Sequence, residues 1–218
     1  IVPIEVKYTN QIEGKDLKNI NNFIETHKNA SINRTKFGII ITKDIYKKEG
    51  NLYIGLYVIE NNGEIIKEYQ KSFLWGREQN YFVHREREYV PVDTSVGKLG
   101  LLICYDIEFP EPSRALALKG AQLLLIPSVW SLPALNRWQI QLPARALDNT
   151  VFVAGINNVG EGACGHSKVV QPDGAVLTEA SEDKEEVLLC EIDFDKISEV
   201  RDRIPYLKEY DQKLSPQA

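Results

Sequence analysis

A thiol, a lysine and a glutamate, each at the end of an expected strand, are the residue types from which a nucleophile, a cation and a base can be assembled. In "GLLICYDIEFPE", residues 100–111, Cys104 follows Leu101, Leu102 and Ile103 directly. The thiolate is the reactive form and a free thiol titrates near about 8.5, so a nucleophilic Cys104 needs a base and a cation within reach. Lys71 closes the run "EIIKEYQK" and Glu5 closes "IVPIE". His84 and His166 offer a Cys-His pair instead, but both stand in polar or glycine-rich loops, and neither setting resembles a cysteine protease. Free cysteine is also among the most often buried residues, so Cys104 taken alone equally fits core packing. Cys190, inside "VLLCEI", and Cys164, in a glycine-rich loop, keep that plain reading.

The elements that must position these groups follow from periodicity and turn chemistry. Residues 1–4 read as the end of a buried strand, and Leu17, Ile20 and Ile24 then recur at helical spacing. "KFGIIITKDIY" is a second strand, and "NLYIGLYVIENNGEIIKEYQK" is a hairpin around Asn61-Asn62-Gly63 that delivers Lys71 at its far end. A strand over residues 98–103 reaches Cys104, "EPSRALALKG" is a short helix stopped by Gly120, and residues 121–126 form the next strand. A further helix, "NRWQIQLPARALDN", is expected to be kinked or delayed by Pro143 before the strand "TVFVAGINN". A hairpin around Pro172-Asp173-Gly174, a strand "EEVLLCEIDF" and a final helix "DKISEVRDRIP" complete the chain. Aliphatic runs separated by helices of this length predict an α/β fold whose central strands are buried on both faces. A thiol at the carboxyl end of such a strand, before a helix, sits where open α/β sheets present reactive groups.

Composition narrows the class. With 218 residues, 43% of them hydrophobic, and no linker or repeat, the chain fits a single domain over residues 1–218. A formal charge of −5 without a basic cluster leaves no electrostatic footprint for nucleic acid or an anionic membrane, so a small molecule is the expected partner. Three cysteines without CxxC spacing argue against a disulfide framework or structural zinc, and no metal or cofactor is expected. Cysteine usage and the lack of a membrane-length apolar run or signal-peptide pattern point to the cytoplasm. The sequence contains no methionine and opens inside an apolar run, so an amino-terminal piece is expected to be missing.

The segment "GKLGLLICYDIEFPEPSRALALKGAQLLLIPSVW" resembles the cysteine-elbow segment of the nitrilase superfamily of carbon-nitrogen hydrolases almost from end to end. "YQKSFLWGREQNYF" is similar to that family's Lys-x-x-Leu block and also supplies Glu78, matching an additional supporting glutamate. "ARALDNTVFVAGINNVG" and "GHSKVVQPDGAVL" resemble two later family segments, so the likeness covers most of the chain from about Lys36 onward. The opening departs from the pattern: the family strand ends in Pro-Glu, whereas Ile4 here separates Pro3 from Glu5. Glu5 fits the family glutamate best, with Glu13 as the alternative. The family's preceding strand and helix are not in this sequence.

The resemblance implies a four-layer α-β-β-α sandwich of the nitrilase type, lacking its first strand and helix, and a Glu-Lys-Cys triad of Glu5, Lys71 and Cys104. It implies hydrolysis of a small amide or carbamoyl compound to an acid and ammonia through a Cys104 thioester. Lys71 and the backbone N–H of Tyr105 then hold the oxyanion. Cys104-Tyr105-Asp106 leans toward amides, because nitrile-cleaving members tend to carry Cys-Trp-Glu. Nitrile hydrolysis and a non-catalytic binding module are the alternatives. Residues 127–139 are expected to form the pocket wall, with Trp130 and Asn136 as candidate lining residues, although Trp130 and Trp138 equally fit plain core or interface aromatics. Arg114 and Arg145 could bind a substrate carboxylate but fit structural salt bridges better. A homodimer or larger homo-oligomer is the implied assembly.

Overall fold

The computed structural model describes residues 44–48, 50–60, 64–84, 88–160, 162–185 and 188–213. The expected opening strand and helix, with Glu5 and Glu13, lie outside them. The chain divides into two compact units: residues 1–86, 94–96 and 187–192 form one, and residues 87–93, 97–186 and 193–218 the other.

In the first unit, strands β1 (Asp44–Lys48), β2 (Asn51–Ile59) and β3 (Ile65–Gln70) form an antiparallel sheet in that order. Ile54, Leu56 and Val58 of the middle strand alternate along one face and are all buried, the period-two pattern of a strand with one face on a core. The expected hairpin is present, with Gly55 opposite Gln70 and a register shift at Val58/Ile59; its turn residues fall outside the described set. Lys71 follows β3 directly, and its N–H donates to the Ile54 carbonyl at 2.9 Å, so the last hairpin bond fixes its backbone.

The second unit is built on a six-stranded sheet ordered β4 (Val92–Thr94), β5 (Gly97–Leu101), β6 (Leu123–Ser128), β7 (Phe152–Asn157), β8 (Lys168–Val170) and β9 (Val176–Glu179). Strands β5, β6 and β7 are parallel, with Leu99 opposite Leu123 and Leu123 opposite Phe152. Their connections are helices α1 (Pro110–Leu118) and α2 (Leu135–Asn149). Right-handed crossovers that advance in one direction put both helices on one face of the sheet, and α1 and α2 do pack together. Gly100 permits the close seating of α1: a Cβ there would lie 2.5 Å from Leu124 Cδ2 and 3.1 Å from Leu116 Cδ1. All six residues of β7 are buried, which is why that stretch is mostly apolar rather than alternating.

Several expectations shift in detail. Helix α2 is not delayed by Pro143: it begins at Leu135, runs through the proline and buries Trp138, Leu142, Arg145, Ala146 and Asn149 along one stripe. Burial of that stripe outweighs the roughly 3 kcal/mol cost of an interior proline. The expected strand over residues 185–194 does not form among the described residues; the segment alternates half-buried and exposed positions but has a single bridge, at Leu188. Period-two hydrophobicity there gives alternating burial, with Leu188 in a bridge. The Pro172-Asp173-Gly174 hairpin forms, with β8 and β9 antiparallel and Gln171 N–H donating to the Ala175 carbonyl at 2.8 Å. Helix α3 (Asp195–Arg203) appears as expected, and a further helix, α4 (Tyr206–Lys213), places Tyr210 under the Arg114 guanidinium at 5.0 Å. No helix among the described residues is long and apolar enough to cross a membrane.

One backbone position in this unit tolerates no side chain. Gly165 has φ 57°, and an added Cβ would meet the Glu182 carbonyl oxygen at 2.1 Å. That obstacle is main chain and cannot rotate away, so Gly165→Ala is expected to cost about 3 kcal/mol, combining left-handed strain with displacement of the 180s loop. Urea unfolding of the variant measures it; a loss under about 1 kcal/mol would mean that the loop yields freely.

Candidate active site

The parallel strand β5 aims Cys104. Past its last residue, Leu102 N–H still donates to the Leu125 carbonyl at 3.1 Å, and Ile103 is extended at φ −123°, ψ 115°. The chain then turns sharply, because Cys104 adopts φ 50°, a left-handed conformation that costs a non-glycine residue roughly 1–2 kcal/mol. A 3-10 turn over Cys104–Glu108 follows and leads through Phe109 into α1. The thiol therefore stands on a sharp elbow between strand and helix, and the helix begins six residues later, at Pro110, close to its expected start at Glu111.

The elbow is fixed by polar contacts. Asp106 is fully buried; its Oδ2 accepts the Ile103 N–H at 2.9 Å, and its own N–H donates to the Ile103 carbonyl at 3.0 Å. From α2, Arg145 donates through Nε to the Ile107 carbonyl at 3.0 Å and through Nη2 to the Glu108 carbonyl at 3.1 Å. Its Nη2 also reaches Gln141 Oε1 at 2.8 Å, and Asp148 lies 3.7 Å from Nη1. Burial pushes the Arg145 pKa below its ordinary value, while Asp148 and Glu111 act in the opposite direction. Arg137 pairs with Glu108 and lies over the Trp130 ring at 5.3 Å.

Lys71 belongs to the other unit, where its side chain is 1% exposed. A buried ammonium needs a counter-charge, and Glu78 supplies it: Glu78 Oε2 accepts Lys71 Nζ at 2.6 Å and Trp75 N–H at 2.7 Å. Glu78 stands on a 3-10 turn over Gly76–Asn80. One carboxylate oxygen thus ties the lysine to the turn that follows it.

Further loops gather at the carboxyl ends of β6 and β7. Asn157, buried at the end of β7, accepts Trp130 N–H on Oδ1 at 2.7 Å and donates from Nδ2 to the Gly165 carbonyl at 2.9 Å and to Cys164 Sγ at 3.1 Å. Trp130 is buried, its ring 5.4 Å from that of Trp138, and its indole N–H has no hydrogen-bond partner among the described residues; Asn136 is exposed in the first turn of α2. Cys164 is fully buried, and burial raises its pKa against the Asn157 bond; burial raises that of half-buried Cys190 too. Neither thiol is primed for reaction, and none of the three cysteines forms a disulfide. His166 Nδ1 lies 2.7 Å from Glu179 Oε1, an oxygen that also accepts fully buried Lys168 Nζ at 2.9 Å. Burial works to raise the Glu179 pKa, and hydrogen bonds from Lys168, Gln139 and His166 outweigh it, leaving it below its ordinary value.

The structure thus brings Lys71 to Glu78 and sets Cys104 and Tyr105 on one turn. Sequence reading missed the roles of Asp106 and Arg145. Asp106 carried a signal, a carboxylate two residues after the cysteine, whereas the Arg145 contacts are to main-chain carbonyls 37 and 38 residues away, which side-chain identities do not encode.

Residues 24–202 match the carbon-nitrogen hydrolase family. The chain is 37% identical over 164 residues to 2-oxoglutaramate amidase of Bacillus subtilis, in an alignment covering 73% of this chain and 63% of that protein. It therefore spans less than two thirds of that relative's length. Saccharomyces cerevisiae Nit3, a member of branch 10 of the nitrilase superfamily, superposes with a TM-score of 0.69 at 31% identity, covering 77% of this chain and 62% of Nit3. The carbon-nitrogen hydrolase from Helicobacter pylori G27 superposes with a TM-score of 0.74 at 28% identity, covering 98% of this chain and 84% of that one. The α/β fold class expected from the sequence is the one these structures share.

Proposed function

Because the chain belongs to the carbon-nitrogen hydrolase family of the nitrilase superfamily, we propose that it hydrolyses a small amide or carbamoyl compound to a carboxylic acid and ammonia. The observation that carries this reading is the backbone of Cys104, a non-glycine residue held at φ 50° at the carboxyl end of a parallel strand. Strain of this kind persists only where the surroundings impose it, and such sites are characteristically functional. A thiol used only for packing gains nothing from it. The amidase relative supports an amide as substrate.

In this reading Glu5 accepts the Cys104 proton, and the thiolate attacks the amide carbon to form a carbon-sulfur bond. Lys71 and the Tyr105 N–H stabilise the oxyanion of the tetrahedral species, an effect worth about 10²–10³ in turnover per donor. Glu5 returns its proton to the departing nitrogen as the carbon-nitrogen bond breaks, releasing ammonia and leaving a thioester. Water, losing a proton to Glu5, attacks the thioester; the acid leaves and that proton restores the thiol. Glu78 pairs with the buried Lys71 ammonium and holds it in place. Trp130 lines the acyl side of the pocket, and the enzyme works as a cytoplasmic homodimer or larger homo-oligomer.

The test is a panel of small primary amides with a parallel set of nitriles, read by ammonia release and by mass spectrometry of acid-quenched protein. Ammonia from at least one amide, with an acyl group on the Cys104 peptide, is the expected result. Ammonia from nitriles alone would move the substrate class to nitriles. An unmodified Cys104 during turnover would overturn the mechanism.

A further inference from the structure

We infer that Asp106 and Arg145 are positioning residues that hold Cys104 in its left-handed conformation by fixing opposite ends of the turn that carries it. The inference rests on the amide-hydrolysis reading for its kinetic consequence, though not for its effect on thiol reactivity. Left to itself, a Cys at φ 50° relaxes toward the ordinary right-handed or extended regions. Something must oppose that relaxation, and the contacts that do so lie on either side of the thiol.

At the near end, Asp106 makes two bonds to one residue: its carboxylate receives the Ile103 N–H and its own N–H reaches the Ile103 carbonyl. Residues 103 and 106 are thereby locked together, and Cys104 and Tyr105 form the loop between them. The carboxylate lies in a site where Asp106 has no solvent exposure, so losing it would leave the Ile103 amide unsatisfied. At the far end, the Arg145 guanidinium grips two successive carbonyls, those of Ile107 and Glu108, while Gln141 and Asp148 hold the guanidinium itself to α2. One end is held by an anion accepting from an amide, the other by a cation donating to carbonyls. Charge-assisted bonds of this type are roughly twice as strong as neutral ones. Arg145 also ties the turn to a helix that is itself anchored on β7, which Asp106 cannot do.

The full chain carries the test, with Asp106→Ala, Asp106→Asn, Arg145→Lys and Arg145→Met each checked for folding by circular dichroism and thermal melting. Two quantities are read: the second-order rate of iodoacetamide modification at the Cys104 peptide, and kcat and KM for an amide that the unaltered protein hydrolyses. Small misplacements of reacting groups can cost about 10²-fold. Asp106→Ala is accordingly expected to lower kcat about 10²-fold with KM within about threefold, and to slow alkylation at least fivefold. Asp106→Asn keeps an acceptor for the Ile103 amide and should recover most of that loss. Arg145→Lys, whose ammonium reaches one carbonyl instead of two, should lower kcat about tenfold, and Arg145→Met further.

Alkylation and kcat within twofold of the unaltered protein in folded Asp106→Ala or Arg145→Lys would overturn the assignment for that residue. So would an Asp106→Asn as impaired as Asp106→Ala. Should Asp106→Ala fail to fold, Asp106→Ser takes its place under the same criteria. If the unaltered protein hydrolyses no amide, the functional reading fails while the alkylation rates still decide the positioning role.

Discussion

Cys104→Ala is expected to fold and to release no measurable ammonia from any amide that the unaltered protein hydrolyses, since removing a covalent nucleophile costs several orders of magnitude in kcat. Cys104→Gly should be equally inactive and yet differ from the alanine variant in stability. At φ 50° an alanine Cβ carries the same left-handed penalty as the cysteine, whereas glycine carries none and loses only part of the advantage to its freer unfolded chain. The glycine variant should therefore be more stable than the alanine variant by about 1 kcal/mol, a melting difference of about 2–4 °C for a chain of this size. The comparison separates chemistry from strain. Activity in either variant would exclude Cys104 as nucleophile, and equal melting temperatures would show that the elbow stores no strain.

The frame that places this cysteine was legible wherever a single periodicity decided the matter. Residues 123–126 and 151–154 are continuous apolar runs because their strands are buried at nearly every position, and the Asn-Gly and Asp-Gly turns marked both hairpins. The 185–194 segment shows the limit of the same signal: it alternates half-buried and exposed positions, yet among the described residues it forms a bridge at Leu188 rather than a strand. Pro143 shows a local rule overridden by the buried stripe of α2. Cys104 and Lys71 were both expected just past strand ends, which is where they lie, and Glu78 was marked by a resemblance. Arg145 was expected to form a structural salt bridge. It does approach Asp148 at 3.7 Å, but its shorter bonds go to the carbonyls of the elbow. Main-chain acceptors are identical at every residue, so only the folded path of the chain reveals which of them an arginine will find. Of the two histidines that offered a Cys-His pair, His84 is exposed and His166 is bonded to Glu179.

Glu78→Gln is expected to reduce turnover by about two to three orders of magnitude and to destabilise the chain, for one electrostatic reason. The Lys71 side chain is 1% exposed and its ammonium lies 2.6 Å from Glu78 Oε2, whereas Glu78 itself remains 22% exposed. Removing the carboxylate charge leaves the cation in a poorly hydrated site. Breaking a buried pair typically costs about 3–5 kcal/mol, and the partial exposure of Glu78 puts this case near 3. Glutamine can still accept from Trp75 N–H, so a small loss would indicate that the turn geometry rather than the charge is what matters. A second variant separates structure from catalysis. Lys71→Met combined with Glu78→Leu removes both charges and replaces them with apolar volume, a change that is often neutral or stabilising. It should regain most of the stability lost by Glu78→Gln while remaining inactive, because no cation is left to meet the oxyanion. Urea unfolding and ammonia release on the same preparations give both numbers. Were the double variant active, Lys71 would be a structural cation whose pairing with Glu78 serves only the fold, and oxyanion stabilisation would rest with the backbone of the Cys104 turn.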